Sequence, residues 1–121
     1  MRTFEEMQVW QDAQDLAVEA YRDFRSVQDL SFVDQIKRAV VSISNNIAEG
    51  SERTTPIEFA RYLDIAKGSA GEVRSLYRLA IRLGYVEEQR GLNRCEFCVS
   101  ISKQLAGFAA AQRRKGRGGS L

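Results

Sequence analysis

The chain is 121 residues long, 44% of them drawn from AVILMFWYC and 28% charged, which fills one globular domain and leaves too little chain for two. Lys and Arg number 18 against 16 Asp and Glu, so the net charge of +2 gives little long-range attraction to nucleic acid or an anionic membrane, and any electrostatic function must come from local clustering. There is no His, which excludes imidazole acid–base catalysis, imidazole metal ligation and the Glu-x-x-His di-iron arrangement of some helical bundles.

Taken in chain order, the apolar periodicity predicts four helices. The first, over residues 4–26, opens on Thr3 with Glu6 three residues on, and places Val9, Trp10, Ala13, Leu16, Ala17, Ala20, Tyr21 and Phe24 on one face. A second, over 32–52, opens on Ser31 with Asp34 and carries a narrow stripe of Ile36, Ala39, Val40, Ile43, Ile47 and Gly50. The third, over 56–83, has the strongest start: Thr55-Pro56-Ile57-Glu58 is a capping box with Pro at the first helical position, and Gly84 reads as the stop. Its apolar side runs through Phe59, Tyr62, Ile65, Ala66, Val73, Leu76, Tyr77, Ala80 and Leu83. A fourth, over 87–112, joins Leu92, Cys95, Cys98, Val99, Leu105, Ala106 and Ala109 into an arc that Phe97, Ile101 and Phe108 widen. Short connections between such helices predict an all-α, antiparallel up-down-up-down four-helix bundle over residues 1–112. Residues 113–121 hold four basic residues, three Gly and no acid, and are expected to form a disordered tail. No apolar h-region opens the chain and no apolar run approaches the roughly 18 residues of a membrane span, so a cytoplasmic protein with no membrane partner is expected.

The wide arc of the fourth helix is more than one bundle core needs, and it predicts self-association through Phe97, Ile101 and Phe108. Charge patterning points the same way. Residues 1–36 hold 3 basic and 8 acidic groups for a net −5, while residues 37–121 hold 15 and 8 for a net +7. Asp12, Asp15, Glu19 and Asp23 fall within about 80° on the first helix, and Lys67, Arg74, Arg78 and Arg82 do so on the third. First and third helices are diagonal in an up-down-up-down bundle, so these stripes can meet between protomers in a head-to-tail ring, or the basic one can engage phosphates, or both are solvated faces.

Three other sets of residues carry weaker chemistry. Cys95 and Cys98 have Cys-x-x-Cys spacing, but two thiols without imidazole do not complete a zinc site, and their place on the apolar arc makes them core thiols. Gln35, Ser42, Asn46, Glu49 and Arg53 line one flank of the second helix as a polar seam, with Glu72 of the third a candidate partner for Arg53 or Asn46. An enzyme using Glu49 and Glu72 there lacks a nucleophile, a metal triad and a phosphate loop. Trp10 reads as a packing anchor, and no aromatic cluster accompanies the basic stripe.

The segment QIKRAVVSISNNIAEG at 35–50 resembles the four-helix-bundle family first noted from open reading frames in intervening sequences of bacterial 23S rRNA genes. The likeness continues through Arg53, EFARYLDIAKGSAGEV at 58–73 and LAIRLGYV at 79–86, and begins with FEEMQVWQDAQDLA at 4–17. Ser44-Asn45-Asn46 stands where that family commonly has Pro-Ser-Asn, which predicts a straighter second helix, and the basic Gly-rich tail is outside its pattern. The resemblance implies a cytosolic bacterial protein, an antiparallel bundle and a closed ring, typically a homopentamer. Its relatives include the accessory protein of diversity-generating retroelements, which presents a positive surface to nucleic acid. The matched Asn46, Glu49, Gly50, Arg53, Glu58, Arg61, Gly68, Ser69 and Glu72 carry the family signature, and none is a catalytic residue of it.

The expected function is therefore a non-enzymatic, ring-forming bundle that binds RNA or another nucleic acid weakly through Lys67, Arg74, Arg78, Arg82 and the tail's Arg113, Arg114, Lys115 and Arg117. The alternative is a structural or adaptor scaffold whose charge stripes serve subunit assembly. No cofactor, metal or small-molecule substrate is expected.

Overall fold

A computed structural model describes residues 3–118 as four helices without strands: α1 (Gln8–Asp23), α2 (Leu30–Ser51), α3 (Pro56–Leu83) and α4 (Glu88–Gly118). The boundaries follow local chemistry. Thr3 and Glu6 do form a box, Thr3 N–H donating to Glu6 Oε1 at 2.9 Å, but it closes only a 3-10 turn over Phe4–Glu6. Extended Met7 (φ −79°, ψ 125°) then separates that turn from α1, and α1 ends at Asp23, so the expected helix over 4–26 is shorter and interrupted. Asp29 rather than Ser31 caps α2, accepting from the Phe32 N–H at 3.2 Å, which starts that helix two residues early. At α3 the expectation holds: Thr55 Oγ1 accepts from the Glu58 N–H at 3.1 Å, Pro56 opens the helix, and Gly84 closes it at φ 76°, a left-handed turn that favours glycine.

The fourth helix runs past 112 to Gly118. The expected disordered tail is thus helical over residues 113–118, and residues 119–121 lie outside the described part. Two contacts with α3 explain the extension: Arg113 pairs with Asp64, and Gly116 lies so close to Ile57 that a Cβ there would come within 2.7 Å of its side chain.

α4 packs most extensively on α3, α3 on α2 and α2 on α1, while α1 touches α4 more lightly and lies across from α3. The α2–α3 crossing is close because Gly50 has no side chain; a Cβ would sit 2.6 Å from Tyr62 Cβ. Tyr77, Phe24, Leu16, Ile36, Ile43, Ile47, Leu63, Ile101 and Leu105 are fully buried, and Ser44 is satisfied inside the core by the Gln14 amide at 2.9 Å. Ile101 is 0% exposed, so it is core rather than a subunit-contact residue. Phe97 and Phe108 are half-buried against the same core, Phe108 edge to face with Phe59 at 5.0 Å. Much of the wide arc is accounted for because α4 faces both α3 and α1, with Phe97 and Phe108 still partly open. In the other direction, Tyr21, Ile65 and Leu83, expected on buried faces, are 45%, 47% and 48% exposed. No helix among the described residues is long and apolar enough to cross a membrane.

Candidate nucleic-acid interface

Spacings of seven, four and four residues put Lys67, Arg74, Arg78 and Arg82 along one edge of α3, and all four are exposed. Among the described residues no ion pair or hydrogen bond holds any of these four head groups. Arg74 and Arg78 line a groove of about 700 Å³ between α3 and α4, with Gly71 and Ser75 on their own helix and Gln89, Cys95 and Glu96 opposite. Glu96 is the one acid among its lining residues. Arg114 and Arg117, three residues apart on the last turns of α4, are exposed, as is Lys115, whereas Arg113 is taken by Asp64.

Of the two thiols, Cys95 lines this groove and Cys98 lies buried in the core. Cys95 Sγ–H donates to the Arg74 carbonyl at 3.7 Å; burial pushes this thiol up, against the pull of the Arg78 and Arg74 guanidiniums. Burial pushes Cys98 up to about 12, helped by the neighbouring Cys95. Both are free and protonated at neutral pH, which suits packing rather than thiolate chemistry. No group of three or more His, Cys, Asp or Glu among the described residues could hold a metal ion.

The acidic stripe does not wait for a neighbouring subunit. Asp23, with its side chain 3% exposed, accepts from Tyr77 Oη at 2.7 Å and from Arg94 Nε at 2.8 Å, with Arg90 at 4.0 Å. Arg94 Nη2 also reaches Glu19 at 3.0 Å, and Glu19 meets Arg22 at 3.2 Å. Asp12 accepts from Gln8 and Gln104 at 2.8 and 2.9 Å, which leaves Asp15 as the stripe's exposed member without a partner in these contacts. Burial first and the Asp23 hydrogen bond second push the Tyr77 phenol up, while that same carboxylate strengthens the charged state of Arg94. Asp12, Glu19 and Asp23 thus have partners within the protomer, and Asp23 is buried among its own. Sequence reasoning missed Arg94 because it sits at the rim of an otherwise apolar arc; the clue was a four-acid stripe on a helix whose neighbour was unidentified.

The polar seam is a set of register contacts. Ser42 and Ser69 hydroxyls meet at 2.9 Å across α2 and α3, and the Asn46 amide donates to both the Ser42 carbonyl and its Oγ at 2.8 and 2.9 Å. Arg53 pairs with Glu49 at 3.1 Å, donates to Tyr62 Oη at 2.6 Å and lies over the Tyr62 ring, so neither it nor Asn46 takes Glu72 as partner. Gln35 and Glu72 instead face a separate groove of about 700 Å³ with Arg38, Ser42 and Ser69. No carboxylate contacts either serine hydroxyl among the described residues, so the seam lacks the nucleophile–base pair that acyl or phosphoryl transfer requires.

A second basic face also escaped the sequence reading. Exposed Tyr21 on α1 lies under Lys37 Nζ at 4.7 Å, in grooves shared with Arg22, Arg25 and Arg38 on the α1–α2 side. The model of a protein family described as 23S rRNA-intervening sequence protein matches residues 5–107 of the chain. No curated protein matches it.

Proposed function

We propose, for a chain that belongs to the 23S rRNA-intervening sequence protein family, a non-enzymatic role in which the basic edge of α3 holds the phosphates of a nucleic acid, RNA in the first instance. One observation carries this reading: Glu19 and Asp23 of α1 are paired with Arg94 inside the protomer, while among the described residues Lys67, Arg74, Arg78 and Arg82 form no ion pair. Arg74, Arg78 and Arg82 rise in steps of about 6 Å along the helix, a ladder of point charges that favours an extended polyanion over a single small ion. Arg114, Lys115 and Arg117 extend the positive surface on α4. The polar seam and the protonated thiols supply no catalytic partner, which supports binding rather than turnover.

Titration of labelled single-stranded RNA tests it. With three to four phosphate contacts, the salt dependence of log K has a slope of about −2 to −3, and Arg74→Glu/Arg78→Glu/Arg82→Glu abolishes binding. Lys37→Glu/Arg38→Glu, on the other basic face, loses less. Equal affinity of the triple variant and wild type, or no binding at any salt, overturns the proposal.

The same reading takes the helices to alternate up and down. Supporting it are Phe59 with Phe108 between α3 and α4 and Asp29 with Tyr85 between α2 and α3, where the first turn or cap of one helix meets the later part or end of the next, and Cys95 with Arg74, which keeps the same opposed order further along α3 and α4. Ring assembly, with five subunits as the family resemblance implies, and a cytoplasmic location belong to the same proposal. Exposed Ile65, Leu79 and Leu83 on α3 favour an apolar contact for that ring over the charge-stripe contact of the scaffold reading. Sedimentation velocity decides: Leu79→Glu/Leu83→Glu lowers the sedimentation coefficient to that of a protomer, and a wild-type protomer at all concentrations overturns assembly.

A further inference from the structure

The beginning of α1, the first turn of α3 and the second half of α4 border a groove of about 750 Å³ that the α3 ladder does not line. Met7, Val9, Phe59 and Phe108 line it with apolar surface, and Lys103 and Lys115 stand exposed at its rim. No acid lines it. The adjacent Asp12 carboxylate has one oxygen bonded by the Gln8 amide and the other by the Gln104 amide, and neither lysine forms an ion pair among the described residues. Because both glutamines spend their NH₂ groups on Asp12, their carbonyl oxygens are left to accept from something outside.

Gly107 marks the open centre of this surface. It lies inside α4, where glycine is unfavourable relative to alanine, yet a Cβ built on it meets nothing within 4 Å. Packing within the protomer therefore leaves space at this position, which an occupant of the groove can use.

We propose that this groove docks a short extended peptide segment of a partner protein, with one or two large apolar side chains flanked by Asp or Glu. The apolar floor takes the large side chains, the rim lysines take the carboxylates, and the glutamine carbonyls accept backbone N–H groups. A free acyl chain is a poorer fit, since it needs an enclosed tunnel to bury its length and this site is open along its side. A nucleobase is poorer too, because Phe59 and Phe108 meet edge to face at 5.0 Å.

Fluorescence anisotropy on the full chain tests this with a labelled hexapeptide of two Glu, Leu, Phe and two Glu, and with its counterpart carrying Lys for every Glu. The acidic peptide binds about tenfold more tightly than the basic one, through complementary charge. Gly107→Trp, which adds a large ring at a groove-lining position whose Cβ has open space, and Lys103→Glu/Lys115→Glu, which reverses the rim, each weaken it by about tenfold. Both variants keep the wild-type melting temperature to within a few degrees, and Gly107→Trp, which alters no residue of the phosphate-binding surface, keeps RNA binding. Equal binding of the two peptides, absence of binding, unchanged affinity in Gly107→Trp, or a stronger response to sodium decanoate or oligouridylate at the groove overturns the assignment.

Discussion

Arg94 is the residue on which the charge arrangement turns. Its guanidinium bonds Asp23 and Glu19, and Asp23 in turn anchors the buried Tyr77 hydroxyl. Arg94→Met keeps the volume and leaves Asp23, 3% exposed, with only the more distant Arg90 at 4.0 Å; unfolding in urea should show a loss of about 3 kcal/mol. Adding Asp23→Leu to Arg94→Met should recover much of that loss, since the cost lies in the orphaned charge rather than in the absent pair. An unchanged midpoint in the single variant would show that Asp23 finds water instead. A second consequence concerns alkaline stability. Burial raises Cys98 to about 12 and also raises Cys95 and Tyr77, so the native state holds these protons where the unfolded chain, with thiols near their ordinary value of 9.0, releases them. This contribution is fully present below pH 9 and is lost as pH rises from about 9 toward 12, so the melting temperature falls through that window. Cys98→Ser should flatten part of the fall, and in the native wild type both thiols should react with a disulfide reagent only as fast as the protein opens.

Helix α2 shows how an element's start is decided. Asp29 and Ser31 are two residues apart and both have the chemistry of a cap, but only starting at Leu30 lets Asp29 accept from Phe32 N–H while its other oxygen receives Tyr85 Oη at 2.8 Å. That second bond comes from a residue 56 positions away, which local pattern reading cannot see. Thr55-Pro56-Ile57-Glu58 was legible because every determinant of that start lies within four residues. The continuation of α4 through residues 113–118 was not legible, because Gly116 and Gly118 argue against helix locally and only Ile57 and Asp64 on α3 reverse the outcome. Asp29→Ala should destabilise by about 1 kcal/mol and Ser31→Ala by almost nothing, as chemical denaturation will show. Gly71 sits inside α3 with open space around its Cβ position, and Gly71→Ala should therefore stabilise the isolated protomer by about 0.5–1 kcal/mol. A loss instead would mean that a neighbouring molecule already approaches the α3 backbone there.

At the scale of the whole molecule, the split of −5 and +7 along the chain was plain in the sequence, and the exposed ladder on α3 was read from it residue by residue. What periodicity could not supply was the pairing across helices, since a helical wheel places a charge on a face without saying which helix that face meets. Arg94 took Glu19 and Asp23, which leaves Asp15 as the stripe's exposed charge without a partner in these contacts. The remainder is a protein whose acidic side is partly screened from within and whose basic ladder is unpaired among the described residues, and its stability should respond to salt accordingly. Arg74, Arg78 and Arg82 are like charges at four-residue spacing, each neighbouring pair unfavourable by about 0.2–0.5 kcal/mol at low ionic strength. Raising NaCl from 0.1 M to 1 M shortens the Debye length from about 10 Å to about 3 Å and relieves that repulsion, while the Asp23–Arg94 bridge, largely shielded from solvent, is screened far less. The melting temperature should therefore rise with NaCl by a few degrees. Inorganic phosphate at matched ionic strength should raise it further if the ladder binds anions: at ten times its dissociation constant the increment is about 1.4 kcal/mol by linkage. Arg74→Glu/Arg78→Glu should erase the phosphate increment and leave intact the stabilisation that NaCl gives through the rest of the surface. A melting temperature that falls with NaCl would mean that favourable surface pairs outweigh the ladder, and equal responses to phosphate and chloride would leave Arg74 and Arg78 with no anion preference on which nucleic-acid binding could rest.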